Sequence, residues 1–99
     1  MSVVRREPLL MPDLGLGTTP VVASVWLVAK GQEVTAGDPL LEVVATGVVV
    51  DLAAPFSGRL VEKRVMEDDL LQIGMVLGFL ERVYTSGGAE SASPPAADA

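Results

Sequence analysis

Three groups of residues in this 99-residue chain are of types that could do chemistry. Lys30 and Lys63 are the only lysines, and a lysine amine can carry a cofactor through an amide bond. The acidic run EDD at residues 67–69 offers neighbouring carboxylates, as used in acid–base catalysis or cation binding. The segment GLG at residues 15–17 resembles the start of a glycine-rich phosphate-binding loop.

Each of these groups has a simpler structural explanation, which we favour. The two lysines suit a solvated surface, and the acidic run suits an exposed turn. The glycine segment lacks the third glycine of a nucleotide-binding motif and a following helix. The chain has no cysteine or histidine, which excludes disulfides, thiol nucleophiles, zinc sites with nitrogen or sulfur ligands and the commonest general base. We therefore predict no catalytic residue, no metal site and no enzyme activity.

Length and composition predict one small domain built mainly from strands. A chain of 99 residues suffices for a single core. Hydrophobic residues make up 49% of the chain and aromatic residues 4%, so valine and leucine must fill that core. Strands accommodate β-branched side chains better than helices do, and the composition therefore favours β structure.

The charge pattern restricts the partners and the location. The formal net charge is −6, and the seven basic residues are scattered along the chain. Because nucleic-acid binding needs a clustered basic patch, we expect no nucleic-acid partner. The apolar run at residues 9–11 stops at Pro12 and is too short for a signal peptide, and no segment has the length of a membrane span. We expect a soluble, cytoplasmic protein without a membrane partner.

Short apolar segments alternate with turn residues along most of the chain. This spacing predicts an all-β barrel or sandwich. Strands are expected at residues 9–11, 21–28, 40–44, 59–66, 70–71 and 76–83, with a further short strand around Val34. In the second of these, alternation places Val21, Ala23, Val25 and Leu27 on one face. Trp26, the single tryptophan, is expected to cover one end of the core.

The expected domain occupies residues 9–84. Residues 1–8 lack periodicity and end in a proline, so we expect a loose N-terminal arm there. Residues 85–99 are small, polar and rich in alanine and proline, so we expect a disordered tail that resembles an interdomain linker. The folded unit is therefore expected to lie between two irregular ends.

The two halves of the domain repeat one pattern. The sequence aligns with itself at a constant offset of 37 residues. Three pairs carry this alignment: Val34 with Leu71, Gly37 with Gly74, and Leu40 with Leu77. Two pairs are expected core positions and one pair is a turn glycine, so we predict two similar β units that face one another.

A hairpin is predicted between the halves, at residues 40–55. Valines flank Thr46 and Gly47 on both sides, and glycine most readily adopts the positive φ that a two-residue connection requires. We therefore place the turn at Thr46 and Gly47. No lysine, cysteine or serine stands at this tip.

In their order and spacing, these motifs resemble the biotinyl/lipoyl domain family, and most closely the lipoyl domain of the acyltransferase component of 2-oxo acid dehydrogenase complexes. The resemblance covers about residues 10–81. It rests on MPDLG at residues 11–15 and on Trp26, Leu27, Val28, Gly31, Val34, Gly37, Asp38, Leu40, Glu42, Ala54, Pro55, Gly58 and Gly74. It implies the lipoyl/biotinyl-like hammerhead, a flattened β-barrel or sandwich of two four-stranded sheets with pseudo-twofold symmetry.

Family members display one lysine at the tip of an exposed hairpin. That lysine takes lipoate when Asp and Ala flank it, and biotin when methionines do. The resemblance places this position at Gly47, between Thr46 and Val48, so the attachment residue is absent. Because the linkage needs a primary amine, we expect no lipoate or biotin, the family's cofactors. Asp68 also departs from the family, which usually has a turn glycine there; aspartate tolerates such a backbone at modest cost.

The hairpin also lacks charge from residue 43 to residue 50. Family hairpins alternate acidic and apolar residues, so an uncharged run suggests a binding surface. The candidate interface consists of Val43, Val44, Val48, Val49 and Val50. Burying two or three of these valines would contribute about 1.5 to 3 kcal/mol each. The alternative is that the valines cover this domain's own barrel end, and the sequence leaves both open.

Three hypotheses follow for the function. In the first, the domain is a non-catalytic interaction or scaffold module, partnered by components of a 2-oxo acid dehydrogenase-type complex or by a second copy through the hairpin. In the second, it is a lipoyl or biotinyl carrier for acyl or carboxyl transfer, modified at an unexpected residue. In the third, it is a truncated or engineered piece of a longer acyltransferase chain.

Overall fold

The computed structural model describes residues 2–85, which form eight strands. The strands are β1 (Ser2–Leu10), β2 (Val21–Trp26), β3 (Glu33–Val34), β4 (Pro39–Ala45), β5 (Val48–Ala53), β6 (Gly58–Lys63), β7 (Leu70–Leu71) and β8 (Val76–Thr85). The predicted tail at residues 85–99 lies outside the described residues except for Thr85, which pairs with Ser2. No helix of bilayer-spanning length and hydropathy occurs in residues 2–85.

The strands form two four-stranded sheets. Sheet A has the order β1-β8-β6-β3, and sheet B has the order β5-β4-β2-β7. Every paired strand is antiparallel to its neighbour. The predicted all-β sandwich of two four-stranded sheets is confirmed.

Side chains from both sheets form one apolar core. The largest fully buried side chains are Leu41, Val43, Leu60 and Leu80. Among the described residues, no polar or charged side chain is buried. Leucine and valine thus fill the core, as the composition predicts.

Trp26 closes the core at one edge. Its ring is partly buried against the core residues. Its indole N–H donates a hydrogen bond to the carbonyl of Val65 at 2.9 Å. The polar end of the ring therefore has a partner while its apolar body packs, which confirms the predicted packing role.

The internal duplication is visible in the topology. Strands β2, β3 and β4 correspond to β6, β7 and β8, and the short strands β3 and β7 lie 37 residues apart. When each strand is replaced by its equivalent, with β1 equivalent to β5, the order of sheet A becomes the order of sheet B. The predicted pseudo-twofold relation is confirmed.

Even the irregularities repeat. The register of β2 against β4 shifts between Ala23 and Val25, and that of β6 against β8 shifts between Leu60 and Glu62. Each shift is a β-bulge with one extra residue, and the two bulges lie 37 residues apart.

The turns that follow β2 and β6 are also equivalent. The amide of Ala29 donates to the side chain of Gln32 at 3.1 Å, and the amide of Met66 donates to Asp69 at 2.8 Å. The positive-φ position of the first turn is a glycine, but in the second turn it is Asp68, with φ 72°. Aspartate occupies a glycine conformation there, as the family resemblance implies.

The bulge in β2 overturns one prediction about that strand. Ala23 is buried, but Val25 and Leu27 are 36% and 41% exposed, whereas Val28 is buried. A bulge moves the side chains that follow it to the other face of the sheet. The uninterrupted alternation predicted for residues 21–28 is therefore wrong, and the strand ends at Trp26.

The N-terminal segment is a strand, so the prediction of a loose arm at residues 1–8 is also wrong. Strand β1 pairs with β8 along its whole length. Arg6 forms an ion pair with Glu62 of β6, and Glu7 pairs with Arg82 of β8 at 3.6 Å. These partners are distant in the chain, so no local sequence pattern predicts the strand.

Candidate functional site

The candidate site is the tip of the β4–β5 hairpin. Ala45 and Val48 form its last strand pair, and Thr46 and Gly47 connect the two strands. Both connecting residues have positive φ, 47° for Thr46 and 79° for Gly47, as in a type I′ turn. The turn predicted at these two residues is confirmed.

The tip offers one hydroxyl and no amine. Thr46, Gly47 and Val48 are all exposed. A Cβ placed on Gly47 would meet no atom within 4 Å, so space does not limit the side chain there. Its positive φ does impose strain on any residue other than glycine. The hairpin could therefore present a longer side chain to solvent, but its present residues cannot form an amide with a carboxylic acid.

Two of the five candidate valines face the core. Val43 pairs with Val50 on the inner side of the sheet, and Val43 has no exposed surface. The structure therefore excludes Val43 from the predicted interface. Val50 is partly buried against the same core. For these two residues, burial favours the alternative explanation, in which the valines cover their own barrel.

The other three valines remain accessible. Val48 is 52% exposed beside the turn. Val44 and Val49 pair on the outer face of sheet B, where Val44 is half-buried and Val49 is 58% exposed. A partner could therefore contact the hairpin at its tip and on its outer face.

The two lysines lie away from the hairpin. Lys63 ends β6 in sheet A, and its ammonium lies 5.5 Å from the centre of the Trp26 ring. Lys30 lies in the turn between β2 and β3, where the neighbouring amide of Gly31 donates to the carbonyl of Leu60 at 2.6 Å. Both lysines are exposed.

The acidic run and the glycine segment have structural roles. Asp69 accepts the Met66 amide and so completes the turn before β7. Asp13 accepts the amide of Gly15 at 2.8 Å within the β1–β2 loop. Within residues 2–85, no three histidine, cysteine or acidic side chains gather as metal ligands would.

Two arginine clusters on sheet A were missed by the sequence reasoning. In the first, Glu62 forms ion pairs with both Arg6 and Arg64. The two guanidinium groups lie 4.9 and 5.1 Å from the centre of the Phe79 ring. Hydrogen bonds from Arg64 and Arg6 hold the pKa of the Glu62 carboxyl below its ordinary value. This cluster ties β1, β8 and β6 together.

The second cluster lies where β1 and β8 extend toward the chain ends. The Arg82 guanidinium lies 4.4 Å from the centre of the Phe56 ring and 4.9 Å from that of Tyr84. The Tyr84 hydroxyl donates a hydrogen bond to Glu7, which raises the pKa of that hydroxyl. Neither cluster has a sequence signal without the β1–β8 register.

The profile of the biotin/lipoyl family, described as "Biotin-requiring enzyme", matches residues 7–80. The dihydrolipoyllysine-residue acetyltransferase component of the pyruvate dehydrogenase complex of Corynebacterium glutamicum is 35% identical over 86 residues, 87% of this chain and 12% of that protein. The lipoamide acyltransferase component of the branched-chain alpha-keto acid dehydrogenase complex of Bacillus subtilis is 32% identical over 91 residues, 92% of this chain and 22% of that protein.

A third relative comes from a different system. The dihydrolipoyllysine-residue acetyltransferase component of the acetoin cleaving system of Cupriavidus necator is 34% identical over 73 residues, 74% of this chain and 20% of that protein. The chain thus spans between 12% and 22% of the length of these three relatives. The family match covers most of the folded residues, and the duplicated sandwich agrees with it. The chain belongs to the biotin/lipoyl domain family.

Proposed function

We propose that this domain is a lipoyl-type domain that carries neither lipoate nor biotin and acts as a non-catalytic interaction or scaffold module. The observation that supports it is the hairpin tip, where Thr46 and Gly47 provide no amine. Attachment of either cofactor through an amide requires a primary amine, and glycine has no side chain. The domain would then contribute contacts to an assembly without carrying a reactive group.

The remaining lysines offer a poor replacement for one at the tip. Lys63 belongs to the opposite sheet, where its ammonium lies over the Trp26 ring. Lys30 is in a turn attached to β6 through Gly31. A carrier modified at one of these residues is the alternative, and it would display its cofactor away from the hairpin.

The names of the relatives suggest the assembly. The C. glutamicum and B. subtilis proteins are named as components of the pyruvate dehydrogenase and branched-chain alpha-keto acid dehydrogenase complexes. We infer that protein components of a 2-oxo acid dehydrogenase-type complex are the partners of this domain, and that it works in the cytoplasm. It would occupy a docking position there without serving as an acyl carrier.

The intact mass after coexpression with a lipoate ligase, and separately with a biotin ligase, tests the absence of cofactor. We expect the wild type to keep the mass of the bare chain in both. The control is the triple variant Thr46→Asp, Gly47→Lys, Val48→Ala, which restores a flanked lysine at the tip. We expect this variant to gain one lipoyl group.

Two outcomes would contradict the proposal. A lipoyl or biotinyl group on the wild type, located by peptide mapping at Lys30 or Lys63, would establish the carrier alternative. An unmodified triple variant that is folded by circular dichroism would show that the tip is not the attachment position of this fold.

A homodimer through the hairpin is a second candidate arrangement. It is favoured by Val48 and Val49, which are 52% and 58% exposed. Light scattering on the wild type beside Val48→Lys and Val49→Glu tests it. A wild-type dimer that dissociates in both folded variants would support it, whereas three monomers would exclude it.

A further inference from the structure

An uninterrupted apolar row crosses the outer face of sheet B. Val49 of β5 lies opposite Val44 of β4, Val44 lies opposite Val22 of β2, and Val22 lies opposite Leu70 of β7. Val49 and Leu70, at the two ends, are 58% and 54% exposed, and the two central valines are half-buried. All four strands of the sheet contribute to this apolar row.

Because of the duplication, sheet A has positions equivalent to those of the apolar row. The equivalent positions in sheet A also pair directly across four strands, and they form a charged row: Arg6, Glu81, Arg59 and Glu33. Arg59 and Glu33 form an ion pair at 3.1 Å. The duplicated fold thus accommodates alternating charges at these positions in sheet A, so the sandwich topology alone does not explain the apolar row in sheet B.

Carboxylates flank the apolar row. Glu42 and Asp51 form the next outer-face pair of β4 and β5. At the β7 end, the acidic turn is bonded to β2, since the Asp68 amide donates to the carbonyl of Ala23 at 2.8 Å. The four strands of sheet B contain no lysine or arginine. The face thus combines exposed apolar side chains with carboxylates that form no ion pair among the described residues.

The dimensions of the apolar row suit a short amphipathic element. Four strands spaced about 4.8 Å apart give a row of about 14 Å. A helix rises about 1.5 Å per residue, so the apolar stripe of some ten residues would cover it. Basic residues beside such a stripe would reach the flanking carboxylates.

We propose that the outer face of sheet B, along Val22, Val44, Val49 and Leu70, docks an amphipathic basic segment of a partner protein. This identifies the partner class of the interaction module and rests on the proposed function. A second copy fits less well, because packing two such faces together would bring their carboxylates into one interface. The chain as a whole carries a net charge of −6, which adds to this repulsion.

The first test uses two designed helical peptides as probes. One has a leucine stripe flanked by lysines, and the other has the same stripe flanked by glutamates. We expect amide NMR signals of the apolar row to shift with the lysine peptide, while those of the charged row of sheet A do not. Added salt should weaken the binding, because the flanking contacts are electrostatic. Absence of binding, or equal binding of both peptides, would overturn the proposal.

A matched pair of variants localises the binding. Val49→Arg with Leu70→Glu gives the exposed ends of the apolar row the residue types of the charged row. The control, Val4→Arg with Val83→Glu, makes comparable changes at a pair of exposed valines on sheet A. We expect the first double variant to bind the lysine peptide with about tenfold or more lower affinity. The control should bind it with unchanged affinity. Equal weakening in both would overturn the proposal.

Light scattering on the same samples distinguishes failure of the basic-partner proposal from failure of the proposed interaction-module function. A wild-type dimer that the Val49→Arg, Leu70→Glu variant dissociates would show that a second copy occupies the face, which overturns the basic partner. The interaction module would then stand with a different occupant. A cofactor found on the wild type would instead remove the module itself, whatever the peptides do.

Discussion

Sheet A and sheet B are related by the duplication, yet their equivalent outer rows differ in composition. At the centre of each sheet the inner positions stay apolar, as at Val43 and its equivalent Leu80, neither of which is exposed. The charged row of sheet A and the apolar row of sheet B occupy equivalent outer positions. Packing against the opposite sheet thus constrains the inner residues, whereas solvent or partners determine the outer ones.

The two ends of the molecule differ in the same way. At the hairpin end, Ala45 and Val50 lie on the inner side of the sheet. The equivalent positions beside the chain ends are Arg82 and Glu7, which pair with each other at 3.6 Å. One end of this scaffold is closed by charges and aromatic rings, and the other is left uncharged. The uncharged end belongs to the sheet that carries the apolar row.

The largest effect is expected at the equivalent core positions of the two sheets, where Leu80→Ala can be compared with Val43→Ala. Leu80→Ala should cost about 2 to 5 kcal/mol of unfolding free energy, because the site cannot collapse around the cavity. Val43→Ala should cost less, because it removes a smaller side chain. Urea denaturation measures both. A larger loss at Val43 would show that the sheet B half carries more of the core stability, which breaks the equivalence.

A second comparison exchanges residues at the two equivalent turns. Gly31→Asp should destabilise the domain and Asp68→Gly should stabilise it, each by about 0.5 to 1 kcal/mol, since both positions have positive φ. Thermal unfolding at fixed pH measures the two changes. Stability changes of opposite sign would support the equivalence of the two turns. A destabilising Asp68→Gly would show that the aspartate side chain contributes more stability than its backbone strain costs.

The smallest effect concerns pH. The lowered pKa of Glu62 stabilises the fold above the ordinary carboxyl pKa, and this stabilisation is lost as the pH falls through the lowered value. Glu62→Gln should therefore flatten the acid side of the stability curve. Glu42→Gln on sheet B is the control, because Glu42 forms no ion pair among the described residues. Equal flattening in both would contradict a specific role for the arginine cluster.

Local patterns sufficed to predict the sandwich, the duplication and the hairpin turn. Glycine marks most of the positive-φ turns, and β-branched runs mark the strands, so these features depend on neighbouring residues. The position of Gly47 at the tip followed from the turn alone. The absence of an amine there needed no coordinates.

Features that depend on register were not predictable. Strand β1 consists partly of charges whose partners lie far along the chain, as Arg6 and Glu62 do. The apolar row requires the register of four strands, and a bulge in β2 interrupts the simple alternation. Val43 is buried in the core and Val49 is exposed on the surface. This difference can be recognised only when the two faces of the sheet are known. Sequence spacing alone cannot supply this non-local information.

The pairing of Ser2 with Thr85 has a mechanical consequence. Hydrogen bonds of an antiparallel ladder run perpendicular to its strands. Tension applied between residues 2 and 85 would therefore open the β1–β8 ladder one pair at a time, in unzipping geometry, instead of loading all bonds together in shear. The strand pairs from Ser2–Thr85 to Val4–Val83 would open before the ion pairs of Glu7 and Arg6 are loaded. Sheet B lies outside this load path, so its outer face keeps its shape while the terminal ladder yields.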